Sequence, residues 1–465
     1  MRIQPRFPSL LEVFYNRRRA AAVVEQRAEQ QLRRIVRWAY ERVPLYREHW
    51  RRHGFHPSDF RGRRDLPAIP PVDKDLIVDA GPAALAQMPA PRRIERMSTS
   101  GTSGRQIHAL RTGLEMRVMR RALLRQLVAA GARPWLPVMT LASMWLNTRR
   151  GTFIQKFCKT RFLPPESTLD EQVAAVQEFQ PLGLIGQTGG IYLLARELLR
   201  RGLRHPLRFL MPTGATLMPE MRQTMRDAFQ LDARDMYGAI ELGVIATQCA
   251  HGGYHIDADR VAFEIVDSDG RPVPRGRQGQ VICTSLYGYY MPFIRYRLLD
   301  IAAVSTRRCP CGCRLPLMDP VQGRVNDFLP TPRGDLVTPH FFFHLFDAVG
   351  DNPVKDWRLT QESLHELVYE YVPDAAFTDH KLEHGLGLVR KRFGESCTVR
   401  AVRRESIPLS AAGKRNCILS KLRPNPNQYD RPWVGAVVRS AELSKIPAQR
   451  AAESEAPAAL VGGSA

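Results

Sequence analysis

The sequence predicts an α/β chain, with a large N-terminal domain of helix-flanked, mainly parallel sheets and a small α+β C-terminal domain. Three observations lead there. From Glu166 to Met236, short apolar runs alternate with amphipathic segments in units of about 25 to 30 residues, the pattern of parallel strands joined by crossover helices. At 465 residues the chain is too long for one ordinary core. Its character changes near residue 325, where a shorter run with its own strands and helices begins, so the expected division is 1–325, 326–430 and a tail at 431–465.

The elements follow in order. Residues 22 to 52 carry Leu32, Ile35, Trp38, Ala39 and Val43 at helical spacing with Arg and Glu between them, an amphipathic helix that Pro44 should end. Leu66 to Pro71 reads as an extended connector. Thr168 with Glu171 is a capping-box pair opening a helix through Val176, and Leu182 to Ile185 is a short buried strand. A helix from Ile191 to Arg201 and a strand from Leu207 to Met211 come next. Pro219 to Phe229 is a helix with proline in its first turn, leading to a strand at Ala233 to Met236. Gly279 to Leu286 alternates as a strand, and the run from Pro292 through Arg297 leads to Asp300 at a strand end.

Ligands of such sheets sit beyond the carboxyl ends of the strands. That places Gly214 and Ala215, after one strand, and Tyr237, Gly238 and Glu241, after the next, among the binding candidates. A tyrosine ring can stack on a base and a carboxylate can hold Mg2+ on phosphate oxygens. Asp300 is placed to accept from vicinal hydroxyls. The run Ser98, Thr99, Ser100, Gly101, Thr102, Ser103, Gly104 and Arg105 offers hydroxyls, flexible backbone and a cation, a phosphate grip that matches neither usual nucleotide fingerprint. Pro408 to Arg415 is a turn-rich segment presenting Lys414.

Composition excludes some classes. Lys and Arg number 68 against 46 Asp and Glu, a net charge of +22 that raises a nucleic-acid reading. The cations are dispersed, with only short runs such as Arg17-Arg18-Arg19, so a solvated Arg-rich surface is the simpler account. Met1 to Arg19 lacks the apolar stretch of a secretory signal and no apolar run reaches the length of a membrane span, which points to a cytoplasmic protein. Ala451 to Ala465, without an aromatic residue, reads as a disordered tail. Eight cysteines are too few for a disulfide scaffold in so long a chain. Cys249, His251 and His255 precede Cys309, Cys311 and Cys313 by about 60 residues, N and S ligands in ample supply for tetrahedral zinc.

Taken together, the loop, Tyr-Gly-x-x-Glu at 237, Tyr-Arg-x-x-Asp at 296, Gly-Arg-x-x-Asp at 323 and Pro-x-x-x-x-Gly-Lys ending at 414 resemble, in that order, the adenylate-forming superfamily of acyl-CoA synthetases, luciferases and adenylation domains. The chain looks closest to the phenylacetate-CoA ligase-like branch. The resemblance spans about residues 30 to 425. It implies that Ser98 to Arg105 grip the β- and γ-phosphates of ATP, Tyr237 lies on adenine, Glu241 holds Mg2+, Asp300 accepts the ribose hydroxyls and Arg324 approaches ribose and phosphate. It further implies a mobile small domain hinged at Asp327, with Lys414 as the catalytic cation, and a structural zinc on Cys249, His255, Cys309 and Cys311.

The chain departs from the family at Gly214-Ala215-Thr216, where Gly-Gly-Glu is common, at Leu298-Leu299, where Thr-Gly is usual, and at Ile240. The implied activity is formation of an acyl-adenylate from a carboxylic acid and ATP, then transfer to a thiol, coenzyme A first. The alternative acceptor is an acidic carrier protein in metabolite or surface-polymer biosynthesis. A zinc-stabilised nucleic-acid-binding protein is the alternative of another class.

Overall fold

The computed structural model describes residues 4–89, 91–98, 107–141, 158–163, 167–324, 329–333, 336–337, 342, 345–346, 353–375, 377–394, 396–408 and 417–422, without the side chains of Ser98, Glu220, Arg324 and Leu336. Among the described residues the largest sheet has eight strands. Lys159–Leu163, Pro137–Leu141, Gly183–Gln187, Phe209–Thr213 and Met236–Ala239 run parallel in that spatial order. Gly243–Gln248, Tyr254–Ile256 and Leu317–Met318 then continue the sheet antiparallel. The α/β expectation holds here, whereas the other sheets are largely antiparallel.

Local chemistry explains most of the boundaries. Thr168 and Glu171 complete their capping box and start the helix Leu169–Phe179. The helix Pro219–Phe229 begins on its proline and ends on Gln230 in the left-handed region. Pro44 does end the helix Ala21–Arg42, but it also starts another, Pro44–Arg52, because proline fits the first helical position. The expected connector at Leu66 to Pro71 is instead partly a 3-10 helix, Arg63–Ala68. The strand expected at Ala233 to Met236 lies three residues later, so Tyr237 and Gly238 are in it.

A second, four-stranded antiparallel sheet joins Val261–Val266, Gln278–Ser285, Tyr296–Ala303 and Gly323–Arg324. Its apolar residues share one core with the N-terminal helices, built around Ile35, Trp38, Tyr46, Trp50, Phe293 and Tyr296. Helices Gly113–Ala130, Leu169–Phe179, Thr188–Arg200 and Pro219–Phe229 cover the parallel strands.

Past the change of character near 325, Val354–Ser363, Glu366–Pro373, Thr398–Arg403 and Ile418–Ser420 form a separate four-stranded sheet carrying the helix Asp379–Phe393. The buried residues of this region, from Leu329 to Val399, form a core of their own. The tail from 431 onward lies outside the described residues.

Candidate active site and metal cluster

The carboxyl ends of the parallel strands gather the binding candidates. Gly214, at φ 83°, and Ala215 follow Phe209–Thr213 and are exposed. The Thr188 hydroxyl, at the start of the preceding helix Thr188–Arg200, donates to the Ala215 carbonyl at 3.1 Å and so fixes that turn. Glu241 sits in the turn between Met236–Ala239 and Gly243–Gln248, and it is buried. Gly238 has no room for a side chain: a Cβ there would lie 2.7 Å from the Gly243 carbonyl oxygen.

The antiparallel sheet supplies the other half. Tyr237 donates its hydroxyl to Asp300 Oδ2 at 2.6 Å, and Tyr296 donates to Glu241 Oε1 at 2.9 Å. Four polar residues from two sheets thus meet in two crossed hydrogen bonds. Asp300 is within the strand Tyr296–Ala303, not at its end, and pairs in register with Arg324. Leu299 beside it has φ 62°, the left-handed region that L residues enter at a cost of about 1–2 kcal/mol. The residue that stands where the family has glycine therefore adopts a glycine-like backbone.

Sequence reasoning missed Arg111. It lies in the strand His108–Thr112, is fully buried, and donates to the main-chain carbonyls of Glu241 and, at 2.6 Å, Met291. Burial works against its charge, and the Glu115 and Glu241 carboxylates offset part of that penalty.

The strands on either side of the phosphate-loop candidate, Ile94–Ser98 and His108–Thr112, pair antiparallel with Ser98 opposite His108. Thr99 to Arg105, Asp327 and Lys414 lie outside the described residues.

A second cluster lies at the antiparallel end of the large sheet. The donor atoms of Cys249, His255, Cys309 and Cys311 all fall within 4.8 Å of one another. Cys249 Sγ is 3.4 Å from Cys309 Sγ, and Cys311 Sγ is 3.1 Å from His255 Nε2. His255 Nδ1 faces the Leu315 carbonyl at 3.1 Å, a contact that turns Nε2 toward the sulfurs.

Burial opposes ionisation of Cys249, yet hydrogen bonds from Cys309 and from the His251 and Gly253 backbone bring its thiol down to about 7. Burial likewise opposes the charge on His255, but Cys313, the Leu315 carbonyl and Cys309 outweigh it and hold the imidazole at about 9. Burial pushes the Cys311 thiol the other way, up to about 12, so the acidic thiol of the four is Cys249; three sulfurs and an imidazole within this reach are a donor set that suits zinc. His251 is exposed in a turn and outside the group, and Cys313 stands beside His255 without joining the four.

Residues 329–421 match the family model "CapK C-terminal domain". The phenylacetate-coenzyme A ligase of Thermus thermophilus is 29% identical over 313 residues, covering 65% of this chain and 70% of that protein. A crystal structure of 2-hydroxyisobutyryl-CoA ligase in the postadenylation state superposes with a TM-score of 0.74 at 18% identity, over 87% of this chain and 91% of that one. In sequence the chain is similar to phenylacetate-coenzyme A ligases, and in fold it is similar to 2-hydroxyisobutyryl-CoA ligase. Protein CapK of Staphylococcus aureus is a further relative on this branch of similarity, 23% identical over 266 residues, covering 54% of this chain and 55% of that protein. The crossed hydrogen bonds join two of the motifs that carried the resemblance. Among the described residues no helix is long and apolar enough to cross a membrane.

Proposed function

We propose that this chain is an AMP-forming acid-CoA ligase. It activates a carboxylic acid with ATP to an acyl-adenylate, releasing pyrophosphate, and transfers the acyl group to the thiol of coenzyme A. The observation that carries the reading is the meeting of Tyr237 with Asp300 and of Tyr296 with Glu241 at the carboxyl edge of the parallel strands. Phenylacetate-coenzyme A ligases are among its relatives, aligned over 70% and 71% of their own lengths.

The residues divide the work by chemistry. Tyr237 lends a ring face to adenine while its hydroxyl stays on Asp300, whose carboxylate accepts from the ribose hydroxyls. Ser98 to Arg105 hold the β- and γ-phosphates, Gly214 and Ala215 border the nucleotide, and Arg324 approaches ribose and phosphate. Glu241 supplies the carboxylate for Mg2+, which neutralises phosphate charge when bound. Lys414 stabilises the charge that develops as the substrate carboxylate attacks the α-phosphorus and pyrophosphate leaves. Asp327 is the hinge on which the small domain, 326–430, swings between the two half-reactions. Cys249, His255, Cys309 and Cys311 hold a structural zinc, since four protein donors leave no open position.

A screen of carboxylic acids for ATP-dependent pyrophosphate release tests the activity. Release with an aryl or medium-chain acid supports it, and saturable ATP-independent DNA binding in its place would favour the nucleic-acid reading. A second acceptor has a specific observation behind it: the CapK C-terminal domain match over residues 329–421. On that reading the acyl group goes to a carrier protein or another acceptor in surface-polymer biosynthesis. Comparing free coenzyme A with carrier-bound phosphopantetheine as acceptor separates the two.

A further inference from the structure

Neither packing nor folding requires the chemistry found at Arg111 and Tyr296. Arg111 is buried deep among apolar residues, where a guanidinium costs desolvation that a hydrophobic side chain of equal volume would avoid. Its surroundings are nevertheless built to hold it. The guanidinium lies 5.0 Å over the Phe293 ring and donates to the Met291 carbonyl at 2.6 Å. Gly288 leaves it space, since a Cβ there would come within 3.4 Å of Arg111 Nη1 and 3.1 Å of Ser285 Oγ.

Glu115, buried one helical turn beyond, receives the Tyr290 N–H at 2.7 Å and closes a capping box with Thr112. That fixes the segment 289–291 against the same strand end. Arg111 Nη2 donates to the Glu241 carbonyl. Tyr296 packs edge-on against the other side of the arrangement, its ring 5.1 Å from Phe293, and gives its hydroxyl to Glu241 Oε1. A phenylalanine would fill that space equally well. Both polar groups converge on one residue.

We infer that Arg111 and Tyr296 are positioning residues that clamp Glu241, one by its main-chain carbonyl and one by its carboxylate, so that the carboxylate presents Oε2 to a divalent cation on ATP in one orientation. The inference rests on the ligase reading, in which Glu241 meets Mg2+. The clamp joins three segments distant in sequence, the strand His108–Thr112, the turn at Glu241 and the strand from Tyr296. Two of them approach Glu241 from opposite ends of the residue. With the clamp intact, the carboxylate needs no reordering when the cation arrives, which is where a pre-positioned group gains affinity.

The test titrates Mg2+ against the full-length protein at fixed ATP, reading ATP binding by calorimetry and, separately, pyrophosphate release. Tyr296→Phe should keep the wild-type melting temperature and raise the half-saturating Mg2+ concentration about five- to tenfold, the loss of one hydrogen bond to a charged group. Excess Mg2+ should restore its rate. Arg111→Met should lower the rate of adenylation about a hundredfold while thiolysis of supplied acyl-adenylate changes less than threefold. Should Arg111→Met fail to fold, the Tyr296→Phe titration decides alone. An unchanged Mg2+ dependence in Tyr296→Phe, with wild-type ATP binding, overturns the clamp and leaves the ligase reading standing. A wild-type protein that binds no ATP at any Mg2+ concentration overturns both.

Discussion

The pocket around Glu241 and the cluster around Cys309 both collect polar side chains from distant segments, but only the first closes its own hydrogen bonds. Tyr237 satisfies Asp300, Tyr296 satisfies the Glu241 carboxylate and Arg111 satisfies its carbonyl. The pocket is therefore ordered before any ligand enters, as a site that must bind and release on each turnover should be. In the cysteine cluster, sulfur faces sulfur at 3.4 Å, with a raised imidazole beside it. Thiols are weak donors and weak acceptors, so that arrangement is satisfied by a cation and not by itself. On the zinc reading, the first site is ordered before its ligand and the second is ordered by it.

Removing one sulfur should break this contrast most visibly. Cys309→Ser is expected to take zinc content from one ion per chain to none and to lower the melting temperature by on the order of 10 °C, measured by metal analysis and calorimetry. Stripping the ion with a chelator should do the same to the wild type. An unaltered Tm after either treatment would make the cluster three reduced thiols beside an imidazole.

The preordered pocket should respond differently. Asp300→Asn is expected to raise the KM for ATP about tenfold through loss of a charge-assisted partner to Tyr237 and the ribose, with the melting temperature nearly unchanged. Equal damage to stability would mean that Asp300 is a packing residue.

The smallest effect concerns Leu299. Leu299→Gly should relieve a left-handed residue at φ 62°, a gain of about 1 kcal/mol offset in part by glycine's extra chain entropy. A rise in melting temperature of about 1–3 °C is the expected result. A fall would show that the leucine side chain contributes more by packing than its backbone costs.

Legibility in the sequence followed the range of the interactions. The helix Pro219–Phe229 and the capping box at Thr168 were readable because proline and Thr/Glu pairs act within four residues. The strand around Met236 was displaced by three residues, and Asp300 was placed at a strand end when it lies inside one, because register is set by neighbouring strands.

Among the zinc candidates, the turn that leaves His251 exposed and the strand that carries His255 into the group are tertiary facts, although motif matching named the same four donors. Arg111 carried almost no signal. In a chain with 68 Lys and Arg, one arginine in the polar-looking strand His-Ala-Leu-Arg-Thr is indistinguishable from a solvated one. Only alternation with buried Ala109 hinted that it faces inward.

The most direct test of acid activation is to separate the half-reactions in Lys414→Ala. Adenylation, followed as pyrophosphate release with the acid the screen identifies, should fall about 10²- to 10³-fold, the loss of one positioned cation. Thiolysis of supplied acyl-adenylate by coenzyme A should largely survive. Equal loss of both half-reactions, or full retention of pyrophosphate release, would contradict the assignment of Lys414 and the division of chemistry between the two domains.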